Sequence, residues 1–208
     1  MKGRLISIEG GEGAGKSSVM AALREALERR GLEVVQTREP GGTDAGEAIR
    51  TLLLDPARSL VAEAELLLMF AARAQLVREV VAPTLARGAW VLTDRFTDAS
   101  FAYQGGGRGI DSACIAELER WAAAIKPDLT FLLDVDVRQG HARIAGRDGE
   151  RDRIENERED FFERVRATYL QRAASEPQRF RVIDAGASQD AVLRAVLDQL
   201  DQAIAGWI

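Results

Sequence analysis

Gly10-Gly11-Glu12-Gly13-Ala14-Gly15-Lys16-Ser17 has the spacing G-x-x-x-x-G-K-S, which gathers glycines, an ammonium and a hydroxyl into one short loop. Glycines let the backbone curl until successive N–H groups converge. A helix starting at the end of the loop adds its positive pole, so the arrangement suits a polyphosphate. Lys16 would reach the terminal phosphates, and Ser17, beside Ser18, would offer a hydroxyl to Mg2+. The flanks agree with this reading. Leu5 to Ile8 has the pattern of a short buried strand, and Val19, Leu23, Ala26 and Leu27 recur at helical spacing. Lysine otherwise occurs only at Lys2 and Lys126, so a chain that relies on arginine for positive charge keeps a compact ammonium at this loop.

The elements that must position this loop can be read from the apolar runs. These fall at Leu5 to Ile8, Leu32 to Val35, Ala89 to Leu92, Leu129 to Asp134 and Phe180 to Ile183, with segments of helical length between them. Strands alternating with helices predict an α/β fold with a mostly parallel sheet covered on both faces. In such sheets ligands bind beyond the carboxyl ends of the strands. Three strand ends carry suitable groups. Arg38 precedes the turn Glu39-Pro40-Gly41-Gly42, with Asp44 and Glu47 placed to cap the next helix. Asp94 and Arg95 end the third run, an aspartate in position to order Mg2+, directly or through water, and an arginine able to bridge phosphates. Asp134 and Asp136 end the fourth.

Two further stretches suit recognition of a small polar ring. In the segment from Val61 to about Arg87, apolar almost all round, Arg73 shares a face with Met69 and Phe70. Such a helix is expected to be buried against the sheet and a second subunit, and Pro83 should kink or end it. Ser100-Phe101-Ala102-Tyr103-Gln104 combines a hydroxyl, aromatics and an amide before a glycine run. Further on, Arg138, Arg143, Arg147, Arg151 and Arg153 alternate with acids around Gly146 and Gly149. This is the pattern either of a solvated face or of a lid that brings an arginine to a transferring group. His141 has no partner in sequence for metal or nucleophilic chemistry.

Bulk composition narrows the classes. The 208 residues fit one domain; hydrophobic content of 46% and charged content of 29% are those of a globular protein. No apolar run is long enough to span a membrane and no cleavable signal precedes the loop, which predicts a cytoplasmic protein. Cys114 alone forms no internal disulfide and reads as a helix core or boundary residue. A net charge of -5 argues against a broad nucleic-acid footprint.

Together the phosphate loop, Arg-Glu-Pro-Gly-Gly, Asp-Arg-Phe and Ala-Tyr-Gln-Gly, in this order from Arg4 nearly to the C-terminus, resemble the thymidylate kinase family. The resemblance implies a P-loop NTPase-type three-layer α/β/α domain over 1–208, with a five-stranded parallel core and a lid at about 138–157. It also implies a homodimer that transfers the ATP γ-phosphoryl group to dTMP. Gly10 to Ser18 would then hold ATP, and Arg38 and Arg95 would clamp the dTMP phosphate. Glu12 would face the sugar 3'-hydroxyl, while Arg73 and Ser100 would bond the thymine. Tyr103 would crowd the sugar 2' position, and Gln104 would complete the acceptor pocket. Lys16, Asp94, Arg95 and the lid arginine Arg147 form the catalytic set implied, with Arg143, Arg151 and Arg153 as helpers.

Two positions depart from the family pattern. The stacking aromatic usually stands four residues before the base-reading arginine; here that residue is Met69, and the adjacent Phe70 is the expected platform. Gly13 stands where some members carry arginine, so the missing charge should come from the lid. A nucleotide phosphate with a second pKa of about 6 is already a nucleophile near neutral pH, so no general base is needed. A different nucleoside monophosphate kinase is the nearest alternative. A GTPase would need Asn-Lys-x-Asp, and the only asparagine, Asn156, precedes Glu157. A regulatory or motor ATPase would turn over ATP without an acceptor.

Overall fold

In the computed structural model, which describes residues 2–145 and 152–207, β1 (Leu5–Gly10), β2 (Val34–Arg38), β3 (Trp90–Asp94), β4 (Leu129–Asp134) and β5 (Phe180–Asp184) form one sheet. All pairings are parallel and the order is β2-β3-β1-β4-β5. Alternation along β1 divides its side chains between two layers. Ile6 and Ile8 pack with Leu23 and Leu27 of α1 (Lys16–Glu28) and with Val196 and Leu200 of α9 (Gln189–Ala205). On the other face, Leu5 meets Leu76, Val77 and Val81. Along the same face Leu132 and Phe180 meet Phe161, Phe162, Val165 and Tyr169 of α8 (Glu159–Ser175).

The five expected strands are present, each extended at its carboxyl end except β4. β2 starts two residues late because the Leu32 N–H closes the end of α1 on the Leu27 carbonyl at 3.3 Å. The expected capping by Asp44 is corrected by one residue. Thr43 Oγ1 accepts the Gly46 N–H at 3.0 Å and caps α2 (Asp44–Leu54), while Glu47 Oε1 accepts the Gly42 N–H at 2.8 Å.

The long apolar helix does not end at Pro83. After α3 (Ala62–Leu76) it widens into a π-helical stretch, Val77–Val81, and resumes as α4 (Ala82–Ala86) with Pro83 in its first turn. There the missing N–H of proline costs no regular hydrogen bond. α5 (Thr97–Ser100) likewise runs into a π-helical turn, Phe101–Gly107, and α6 (Ser112–Leu118) into another, Glu119–Ala123. Cys114 lies exposed on α6 instead of in a core. The expected burial of α3 is partial. Leu66 and Phe70 join a cluster with Phe101, Ile115 and Ala122, whereas Leu67 and Trp121 are 58% and 77% exposed. α7 (Val137–Ile144) precedes the undescribed residues, and among the described ones no helix is long and apolar enough to cross a membrane.

Candidate active site

Register brings three strand ends together: Ile8 of β1 and Arg38 of β2 both pair with Asp94 of β3. Beyond them lies a cavity of about 340 Å3 lined by Glu12 to Ser18, Arg38, Asp94, Arg95, Tyr103 and Gln104, which were expected at the site, and by Met69, which was not. Glu39, Pro40, Arg50, Leu54, Ala99, Asp152, Ile154 and Glu155 complete the wall.

The loop after β1 turns through positive φ at Gly10, Gly13 and Gly15, the last being the N-cap of α1. At Gly13 a second constraint acts, because a Cβ there would lie 2.1 Å from the Gly140 carbonyl oxygen of α7. Backbone packing therefore excludes an arginine at this position. Lys16 Nζ donates to the carbonyls of Gly10 (3.2 Å) and Gly11 (3.0 Å). Burial lowers its pKa, as does the charge of Arg95, against the opposing pull of Glu12, Asp94 and Glu9. Ser17 is exposed at the start of α1.

Arg95 occupies the left-handed region with φ 69°. Its guanidinium donates to Gly10 O (2.9 Å), Glu12 Oε1 (2.7 Å) and the Tyr169 hydroxyl (3.4 Å), and lies 4.7 Å from the Tyr103 ring centre. Tyr103 also donates to Glu12 Oε1 at 3.1 Å. Burial works against the Arg95 charge, but Tyr103, Glu12, Tyr169 and Asp94 outweigh it and hold the pKa above its ordinary range. Asp94 Oδ1 is buried with no hydrogen-bond partner, which leaves it an unused acceptor beside the phosphate loop. Together with the Ser17 hydroxyl it fits a hydrated divalent cation; among the described residues no cluster of three or more His, Cys, Asp or Glu side chains could hold a metal unaided.

The base end of the site differs from expectation. Met69 lines the cavity, while Phe70 does not. The reason is rotational: Phe70, one residue on, turns into the core and packs its ring 4.5 Å from the Arg73 guanidinium. Arg73 and Ser100 do not line the cavity either. Arg73 is fully buried, donating to Glu39 Oε2 (2.8 Å), Ser100 Oγ (2.9 Å) and Phe96 O (3.2 Å). Burial raises the Glu39 pKa against the pull of Arg73, and Glu39 Oε1 has no partner. Gln104 donates to the buried Glu65 at 2.9 Å, leaving its own Oε1 unpartnered.

Of the charged segment, Arg147 and Arg151 lie outside the described residues. Arg143 sits on α7 and donates to Ala185 O (2.8 Å) and Gly13 O (3.4 Å). Arg153 is anchored to Leu53 O (2.8 Å) and Glu65 (2.7 Å). His141 packs edge-on against Phe162.

Several residues of the site escaped the sequence reading. Arg50 projects from α2 beside Arg38; burial and the like charge of Arg38 both lower its pKa. Glu9, the last side chain of β1, is buried and its pKa is raised to about 8 by desolvation and the nearby Asp98. A carboxylate ending an apolar strand, and the spacing of Phe161, Val165 and Tyr169 on α8, were the available signals.

A parallel sheet of this order with a glycine loop running from its central strand into a helix defines an α/β protein of the P-loop NTPase type. The sequence model of the family described as thymidylate kinase matches residues 8–196, and the chain belongs to that family. It is 55% identical to a thymidylate kinase of Chromohalobacter salexigens over 208 residues, covering 99% of this chain and 98% of that one. It is 51% identical to one of Neisseria meningitidis, covering 97% and 98%. The crystal structure of thymidylate kinase from Ehrlichia chaffeensis superposes with a TM-score of 0.79 at 31% identity, covering 97% of this chain and 99% of that one.

Proposed function

We infer that the chain phosphorylates dTMP to dTDP with ATP by in-line transfer, and that the observation carrying this reading is the cavity that joins the phosphate loop to Arg38, Arg95, Tyr103 and Gln104. Gly10 to Ser18 cradle the ATP phosphates and Lys16 leaves its two carbonyl partners to bond the terminal ones. Arg38 and Arg95 clamp the acceptor phosphate, joined by Arg50, so that three guanidinium groups offset the repulsion between two polyanions. Glu12 and Tyr103, already bonded to each other, face the acceptor sugar. Met69, Gln104 and the Arg73–Ser100 pair shape the base end. Ser17 and Asp94 would hold Mg2+ through its waters; the ion supplies charge neutralisation at the phosphates. The segment at about 138–157 works as a lid carrying Arg147. Because Gly13 is held against Gly140, the loop itself cannot supply that charge.

Two solvent-exposed side chains, Leu67 and Trp121, lie beside the buried cluster containing Leu66 and Ala122 and support a homodimer through α3. Sedimentation at micromolar concentration would show a dimer, and a monomeric mass would remove the proposal. The absence of a membrane-spanning helix among the described residues is compatible with a cytoplasmic enzyme. The enzymatic reading is tested by following ADP release from Mg-ATP. Release should be slow until dTMP is added and then match dTDP formation one for one; fast turnover without an acceptor would point to an ATPase instead.

A further inference from the structure

The geometry around Arg95 assigns a task to two residues that take no direct part in the reaction as proposed above. Arg95 is a non-glycine residue in the left-handed region, a conformation that persists only where its surroundings enforce it. Three bonds fix the backbone here: Arg95 N–H to Ile8 O (3.0 Å), Thr93 Oγ1 to Arg95 O (2.7 Å), and Phe96 N–H to Glu9 Oε1 (2.7 Å). The other Glu9 oxygen accepts the Tyr169 hydroxyl proton at 2.7 Å. With its proton committed there, the Tyr169 oxygen turns its lone pairs outward and receives Arg95 Nη1. One fully buried carboxyl group thus holds the turn on which Arg95 stands and orients the hydroxyl that meets its guanidinium. Asp98, the neighbouring buried acid, takes no part, being occupied by Arg172 and Arg179 at 2.7 Å each.

We propose that Glu9 and Tyr169 are positioning residues that aim Arg95 at the acceptor phosphate. The proposal rests on Arg95 being the acceptor clamp. It spans three elements far apart in the chain: the end of β1, the turn after β3 and the middle of α8.

Tyr169→Phe keeps the ring that packs in the core and removes only the hydroxyl. It should raise KM for dTMP about tenfold, the size expected for a hydrogen bond to a charged group, and leave KM for ATP near its wild-type value. Glu9→Gln, whose amide cannot accept both bonds through one oxygen, should show the same selective loss. Coupling supplies the discriminating readout: dTMP affinity measured by calorimetry should fall on introducing Tyr169→Phe into the wild type but not into Arg95→Ala. An equal loss in both backgrounds would overturn the proposal, as would a Tyr169→Phe enzyme with unchanged KM for dTMP. A uniform loss in kcat and both KM values with a lowered Tm would overturn it too, since that is what a packing role produces. Failure of the wild-type protein to bind or phosphorylate dTMP would refute the underlying function instead.

Discussion

The two walls of the cavity present arginine under opposite conditions. Arg95 has a side chain 14% exposed and bonded to Gly10, Glu12 and Tyr169, whereas Arg38, at 53% exposure, has Glu47 as its ion-pair partner. A buried, multiply bonded guanidinium is oriented before any ligand arrives and keeps its charge in a weakly screened setting. An exposed one contributes charge but must be ordered by the phosphate it meets. The Arg95 wall therefore sets direction, and the wall of Arg38 and Arg50 mainly adds attraction. Arg147 lies outside the described residues, and its proposed task is confined to the transferring group.

Substitutions should separate these roles in a graded way. Arg147→Ala should lower kcat on the order of a thousandfold while leaving dTMP affinity almost unchanged, the behaviour of a group acting only in the transition state. Unchanged turnover would exclude that residue from the role. Arg95→Ala should lower kcat/KM for dTMP roughly a hundredfold or more, with both constants affected, because orientation and binding are lost together. A change confined to KM would erase the contrast between the walls. Arg50→Ala should raise KM for dTMP about tenfold with kcat nearly constant, and the effect should shrink as salt is added. A loss in kcat equal to that of Arg95→Ala would place both arginines in one class.

The smallest effect concerns stability far from the cavity. Glu176 is held at a pKa of about 2 by the Arg179 hydrogen bond, with burial opposing, and by the charges of Arg179, Arg172 and Lys126. Its folded pKa is below the unfolded one, so it adds stability above the ordinary carboxylate range and loses it as pH falls toward the folded value. Between about pH 5 and pH 2, Tm should therefore fall less steeply in Glu176→Gln than in the wild type. Parallel melting curves would show that the ion pairs are too solvated to matter.

The sheet was legible because buried parallel strands are continuous apolar runs, and the phosphate loop because its glycines and lysine have fixed spacing. The side-chain layer of the site was less so. Whether Met69 or Phe70 meets the cavity depends on the rotation of α3, which an apolar-all-round helix leaves undetermined by its own pattern. Arg50 looks like any surface arginine until α2 is packed beside the Arg38 turn. Glu9 and Tyr169 lie 160 positions apart, and only the packing of α8 against the β4 and β5 side of the sheet brings them within hydrogen-bond distance. At Gly13 the sequence shows only that an arginine is absent, and the close meeting of the loop with Gly140 becomes visible in the packing of α7 alone.

The most direct test is an acceptor panel with Mg-ATP, comparing dTMP with UMP, CMP and AMP at equal concentration. Met69, Gln104 and Tyr103 in the lining of the cavity predict that dTMP is phosphorylated with by far the highest kcat/KM. Preference for any of the other three nucleotides would contradict the assignment of this cavity to dTMP.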